Sequence, residues 1–114
     1  MRVSGSNTIA VNDVLVGEVW LLSGQSNMAF LMSSMARPAD REPEWPEQAR
    51  RDMASAADPL LREFRVENRP SDRPREDVPS RAGWMSWNPG AAGGWAAMAA
   101  YFGRELRREL GVPV

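Results

Sequence analysis

The stretch Val14-Leu15-Val16-Gly17-Glu18-Val19-Trp20-Leu21-Leu22, running into Ser23-Gly24-Gln25-Ser26-Asn27-Met28, decides how this chain of 114 residues reads. Its first part is apolar except at Gly17 and Glu18. A run of that kind suits a strand covered on both faces, so it predicts a central parallel strand in an α/β fold. Ser23 and Gly24 break the run. Met28, Phe30, Leu31, Met32 and Met35 then resume at a spacing that predicts a short helix over 27–35.

Ser26 therefore stands where a strand ends and a helix begins, the edge at which open α/β sheets bind their ligands. Gly24 permits an unusual backbone conformation. The amides and positive dipole end of the helix would face any negative charge that forms beside Ser26. Such donors can each stabilise an oxyanion by about 3 to 4 kcal/mol. Two meanings stay open at this point, because serine and asparagine are also favoured helix N-caps, and on spacing alone the cap is the commoner one. The stretch is not Gly-x-Ser-x-Gly, since Met28 takes the place of the second glycine. Nor does the chain contain a histidine, the usual base for a serine nucleophile.

Moving outward, Ser4 to Asn12 alternates Ile9 and Val11 with polar residues and ends in the turn pair Asn12-Asp13, which predicts a short strand. Residues 37–46 are rich in proline and charge and predict a loop that contains Trp45. A helix is expected over Pro46 to Ala57, with Glu47 near its positive end and Pro59 beyond its stop. Leu60 to Val66 reads as a second strand. Asn68 to Ser80, with Pro70, Pro74 and Pro79, reads as a long loop. The clearest helix is Trp95 to Leu110, where Trp95, Met98, Ala99, Phe102, Leu106 and Leu110 recur at helical spacing. Arg104, Arg107 and Arg108 suit its negative end, Gly111 its left-handed cap, and Pro113 its stop. Val112 to Val114 reads as the opening of a third strand.

Composition narrows the function classes. Acidic and basic residues number 15 and 14, and every basic residue is arginine interleaved with acids, so no patch for nucleic acid or an anionic membrane is expected. The absence of cysteine and histidine removes the usual zinc ligands and any disulfide, and the Asp40 to Glu47 acids read as a solvated loop face, so no metal is expected. Residues 1–7 lack the pattern of a signal peptide and no run reaches membrane-spanning length, so the chain is expected to be soluble, with localisation left open. Glu18 precedes Ser26 by most of a strand, roughly 25 Å at about 3.3 Å per residue, too far to be its base. Trp20 and Trp95 sit in periodic apolar elements and read as core. Trp84 and Trp87 flank Met85-Ser86 in a loop bounded by glycine and proline; core packing is their commoner meaning, and stacking on a sugar the alternative.

Gly17-Glu18-Val19-Trp20-Leu21-Leu22-Ser23-Gly24-Gln25-Ser26-Asn27-Met28 resembles the first block of the sialate O-acetylesterases, carbohydrate esterases of the SGNH-hydrolase group. Ala99-Ala100-Tyr101-Phe102-Gly103-Arg104-Glu105-Leu106 through Gly111-Val112-Pro113 resembles the family's following helix and strand, and Asp58-Pro59-Leu60-Leu61-Arg62 through Val66 the strand between. Leu22 departs from the family, which often has cysteine there. The resemblance implies part of a three-layer α/β/α, flavodoxin-like domain with a parallel sheet. It also implies Ser26 as nucleophile, with its own amide in the oxyanion hole and Gly24, Gln25 and Asn27 supporting the turn.

The family's glycine-rich oxyanion segment, its glutamine block and its Asp-x-x-His block have no counterpart in residues 1–114. The chain is accordingly expected to be an incomplete N-terminal part of such a domain. The substrate implied is an acetylated carbohydrate, sialic acid or a related sugar, cleaved by serine acyl transfer without a cofactor. Alone the chain is expected to be nearly inactive and to self-associate through an open sheet edge at Val112–Val114. The competing reading is a non-catalytic esterase remnant or a carbohydrate-binding module that uses Trp84 and Trp87.

Overall fold

The computed structural model describes residues 1–38 and 44–114. Its elements are β1 (Arg2–Ser4), β2 (Thr8–Ala10), α1 (Ser26–Ala29), α2 (Met32–Met35), α3 (Glu44–Ala54), β3 (Asp58–Phe64), β4 (Trp84–Trp87), α4 (Pro89–Ala92) and α5 (Ala97–Leu110). The chain is α/β, with two small antiparallel sheets among the described residues.

The core forms where β3 meets α5. Leu61 is buried on β3, and Ala97, Ala99, Ala100 and Gly103 form the covered stripe of α5. A Cβ at Gly103 would come within 2.8 Å of Leu61 Cδ1, so the missing side chain sets how closely helix and strand approach. Trp87 and Trp95 meet edge to face at 5.1 Å, and Met32, Ala49, Ala56 and Ala92 complete the cluster. Alanine at so many contact points lets backbones lie close together, while the two tryptophans are the largest side chains of the cluster. The Gly111 amide, at φ 68°, donates to the Arg107 carbonyl and closes α5 as expected.

Helix α5 begins two residues later than its periodicity predicts. Trp95 gives its carbonyl to the Met32 amide of α2 and Ala96 gives its amide to Glu63, so the first helical bond runs from the Ala100 amide to the Ala96 carbonyl, with Ala96 as the N-cap. Helix α3 starts at Glu44, inside the predicted loop, and takes Trp45 with it; residues 39–43 of that loop lie outside the described residues. The helix expected over 27–35 is two single turns separated at Phe30 and Leu31. Trp84 to Trp87 is not a loop but strand β4, paired with β3 at Phe64↔Trp84 and Glu63↔Met85. Asn88 then caps α4, its side chain accepting from the Gly90 and Ala91 amides. The predicted strand near Ile9 becomes a hairpin, β1 on β2, with Val3 opposite Ile9.

The largest correction concerns Val14–Leu22. This segment forms no strand and bends at Gly17, and Val16, Val19 and Leu21 are 88%, 83% and 90% exposed. Trp20, expected in the core, is half-exposed and touches Phe102 edge to face. The reason lies in the neighbours: among the described residues, the one backbone bond from this segment to another part of the chain runs from the Glu18 amide to the Pro113 carbonyl. A Cβ at Gly17 would collide with that carbonyl, so only glycine fits the crossing.

The edge expected at Val112–Val114 is also engaged. Val114 donates to the Leu60 carbonyl, and the Arg62 amide donates to the Val114 carbonyl. That is one bridge of the parallel kind, not a parallel sheet.

Candidate active site

Gly24 has φ 152°, and a Cβ there would sit 3.0 Å from Met28 Cγ. This turn lets the preceding segment enter α1 with Ser26 as its first residue. The N-cap position belongs to Gln25, which makes no capping bond through its side chain. Ser26 is exposed, and among the described residues neither its hydroxyl nor its amide has a hydrogen-bond partner. An N-cap serine would spend its oxygen on the helix amides. This one does not.

The macrodipole expected behind Ser26 is much reduced, because α1 is a single turn of four residues. The Met28 amide is already bonded to the Gln25 carbonyl at 2.9 Å, which leaves the Ser26 and Asn27 amides as the local donors. What fixes the turn is its exit. The Ala97 amide donates to the Phe30 carbonyl at 2.7 Å, the Met32 amide to the Trp95 carbonyl at 3.0 Å, and the Ser33 amide to the Gly93 carbonyl at 3.1 Å.

Ser26 opens onto a wide concavity of about 1850 Å³, whose walls include Gly24, Gln25, Trp20, Glu63, Arg65 and Trp84. Asn27 does not line it. The two candidate aromatics separate: Trp84 is 58% exposed and tilts against Phe64 at 5.4 Å, whereas Trp87 is 3% exposed and packs in the core. Only Trp84 shares the concavity with Ser26. Among the described residues there is no group of acids that could hold a metal ion, and no helix is long and apolar enough to cross a membrane.

Glu63 and Arg65 line the same concavity and were not singled out from sequence. One Glu63 oxygen accepts the Ala96 amide at 3.1 Å, and the other is buried without a partner among the described residues. Burial raises the Glu63 carboxyl above its ordinary value, with the Ala96 amide and the Arg65 charge opposing only in part. A signal was present, since Leu61, Glu63 and Arg65 alternate along β3 and its continuation and the first of them is buried. A second cluster lies away from the serine. Asp52, 6% exposed, receives the Tyr101 hydroxyl and the Arg104 guanidinium, each at 3.0 Å, and Arg104 lies over the Trp87 ring at 5.8 Å. Burial pushes the Asp52 carboxyl up, but hydrogen bonds from Gln48, Arg104 and Tyr101, with the Arg104 charge, outweigh it and hold the group below its ordinary value.

With this geometry in view, the comparison with solved structures is informative. The chain is similar to a carbohydrate acetylesterase from Xanthomonas citri. The two share 34% sequence identity and a TM-score of 0.77 over 98% of this chain. The chain spans 23% of that enzyme's length. Comparisons with protein-family models and with curated proteins give no match.

Proposed function

We propose that this chain is the nucleophile-bearing part of a carbohydrate esterase domain of the SGNH kind, acting on acetylated sugars such as sialic acid. The observation that carries the reading is the likeness to a carbohydrate acetylesterase over 98% of the chain, in which Ser26 stands uncommitted on a glycine-set turn. Ser26 Oγ attacks the acetyl carbonyl carbon, and the Ser26 and Asn27 amides face the oxyanion that forms. Collapse of the tetrahedral adduct breaks the ester bond and releases the sugar hydroxyl; water then cleaves acetyl-Ser26 to acetate. Both proton transfers need a base that this histidine-free sequence does not supply. In this reading a histidine, oriented by an aspartate, comes from outside residues 1–114, and the exposed Val16, Val19 and Leu21 meet further strands of a parallel sheet or a second copy. Trp84 lies on the substrate side.

The test supplies the missing base from solution. In p-nitrophenyl acetate and imidazole, peptide mass spectrometry is expected to find acetyl on Ser26 ahead of the other serines, with no turnover by the chain itself. Acetylation spread evenly over the serines would sink the nucleophile assignment. Ser26-dependent turnover without imidazole would place the base within the chain. The exposed Trp84 favours one second reading, a glycan-binding module: binding of an acetylated oligosaccharide that survives Ser26→Ala and is lost in Trp84→Ala, without acetylation of Ser26, would select it.

A further inference from the structure

Glu63 lies on strand β3 and Arg65 one residue past its end, and both side chains reach the segment that seats the Ser26 turn. The Arg65 guanidinium donates to the Gly94 carbonyl at 3.2 Å and to the Ala29 carbonyl at 3.5 Å, bridging the end of α1 to the segment before α5. Glu63 Oε1 receives the Ala96 amide at 3.1 Å. Between these anchors lie the Leu31↔Ala96 bridge and the backbone bonds that join Phe30 to Ala97 and Met32 to Trp95. Arg65 forms no ion pair with an acid within the salt-bridge distance among the described residues, so its donors serve carbonyls. A planar guanidinium can span two acceptors in fixed geometry, which an ammonium cannot.

We infer that Glu63 and Arg65 are positioning residues for Ser26: a two-point clamp, from β3 and the residue that follows it, that holds the serine turn against the 94–97 segment. The inference rests on the reading of Ser26 as the nucleophile. Its physical need is plain, because α1 is one turn long and isolated turns do not hold themselves. A reacting oxygen displaced by about 1 Å can lose about a hundredfold in rate.

The test compares the full chain with Arg65→Ala, Arg65→Lys, Glu63→Ala and Glu63→Gln by amide hydrogen exchange and by imidazole-assisted acetylation of Ser26. In Arg65→Ala and Glu63→Ala the Met32, Ser33, Ala96 and Ala97 amides are expected to exchange about tenfold faster while those of β3 and central α5 hold their rates, and Ser26 acetylation to fall about tenfold. Glu63→Gln keeps an acceptor for Ala96 and is expected to restore both readouts. Arg65→Lys, with a single point charge, is expected to restore less than half. Unchanged exchange at those four amides in the alanine variants, or a uniform rise throughout the chain, would overturn the clamp. Local loosening in a chain whose Ser26 is never acetylated would keep the clamp and remove the nucleophile.

Discussion

Residues 44–114 with the turns α1 and α2 hold the buried core, whereas residues 1–24, though richer in valine and leucine, leave most of theirs in solvent. The difference is not hydrophobicity. Trp95 is enclosed because α2, β4 and α5 reach it from several directions, while the segment of Leu21 is held, among the described residues, by the Glu18–Pro113 bond and the Trp20–Phe102 ring contact. Apolar sequence creates a demand for neighbours, and position in the fold decides whether the demand is met.

Four experiments would break or sharpen this contrast. Trp95→Ala should cost about 3 to 5 kcal/mol by denaturant melt, because it empties the centre of the packed half; a loss under about 1 kcal/mol would mean that the cluster is not the core. Asp52→Asn should cost about 2 kcal/mol, since it weakens charge-assisted bonds from Tyr101 and Arg104. Its folded value lies below the ordinary 3.8, so the stability it confers is present above that pH and lost as pH falls through the folded value. The parent should therefore lose this contribution in acid, and Asp52→Asn should show a flatter profile.

Glu63 has the opposite sign. Its folded value lies above 4.5, so its contribution is full below that pH and lost as pH rises through the folded value. Glu63→Gln should match the parent at pH 4 and melt at a higher denaturant concentration at pH 7; a lower midpoint at pH 7 would show that the ionised form is the better partner. The smallest effect is expected from Val16→Ser with Leu21→Ser, within about 0.5 kcal/mol, because both side chains are already in water. A loss of more than about 1 kcal/mol would show that residues 14–22 find cover in solution, and sedimentation velocity would then tell whether a second copy provides it.

Much of the packed half was legible in the sequence. Helix α5 announced itself because periodicity, terminal arginines and Gly111 agree, and β3 because Leu60 to Val66 lies between the stop marked by Pro59 and a proline-rich loop, although the strand itself runs from Asp58 to Phe64. Strand β4 was hidden, since Trp-Met-Ser-Trp shows no alternation of apolar and polar residues, and Trp84 and Trp87, three residues apart on it, face opposite sides and meet opposite fates. The burial of Val14–Leu22 could not follow from the run itself, because cover on two faces is a property of other segments. At the site, the position of Ser26 on a turn was readable from Gly24. The clamp was not, because it depends on which residues of β3 and its continuation face the 94–97 segment, a fact of tertiary placement.

The seat of the serine turn also carries a consequence in time. Ser26 leaves the ribosome first, but the carbonyls and amides that fix its turn belong to Gly93–Ala97, made about 70 residues later. Contacts so distant in sequence close late, after the loop entropy between them has been overcome. A nascent chain thus holds its serine long before it holds the serine in place. Any reactivity the turn confers is delayed until the helix that follows it, α5, has begun to fold.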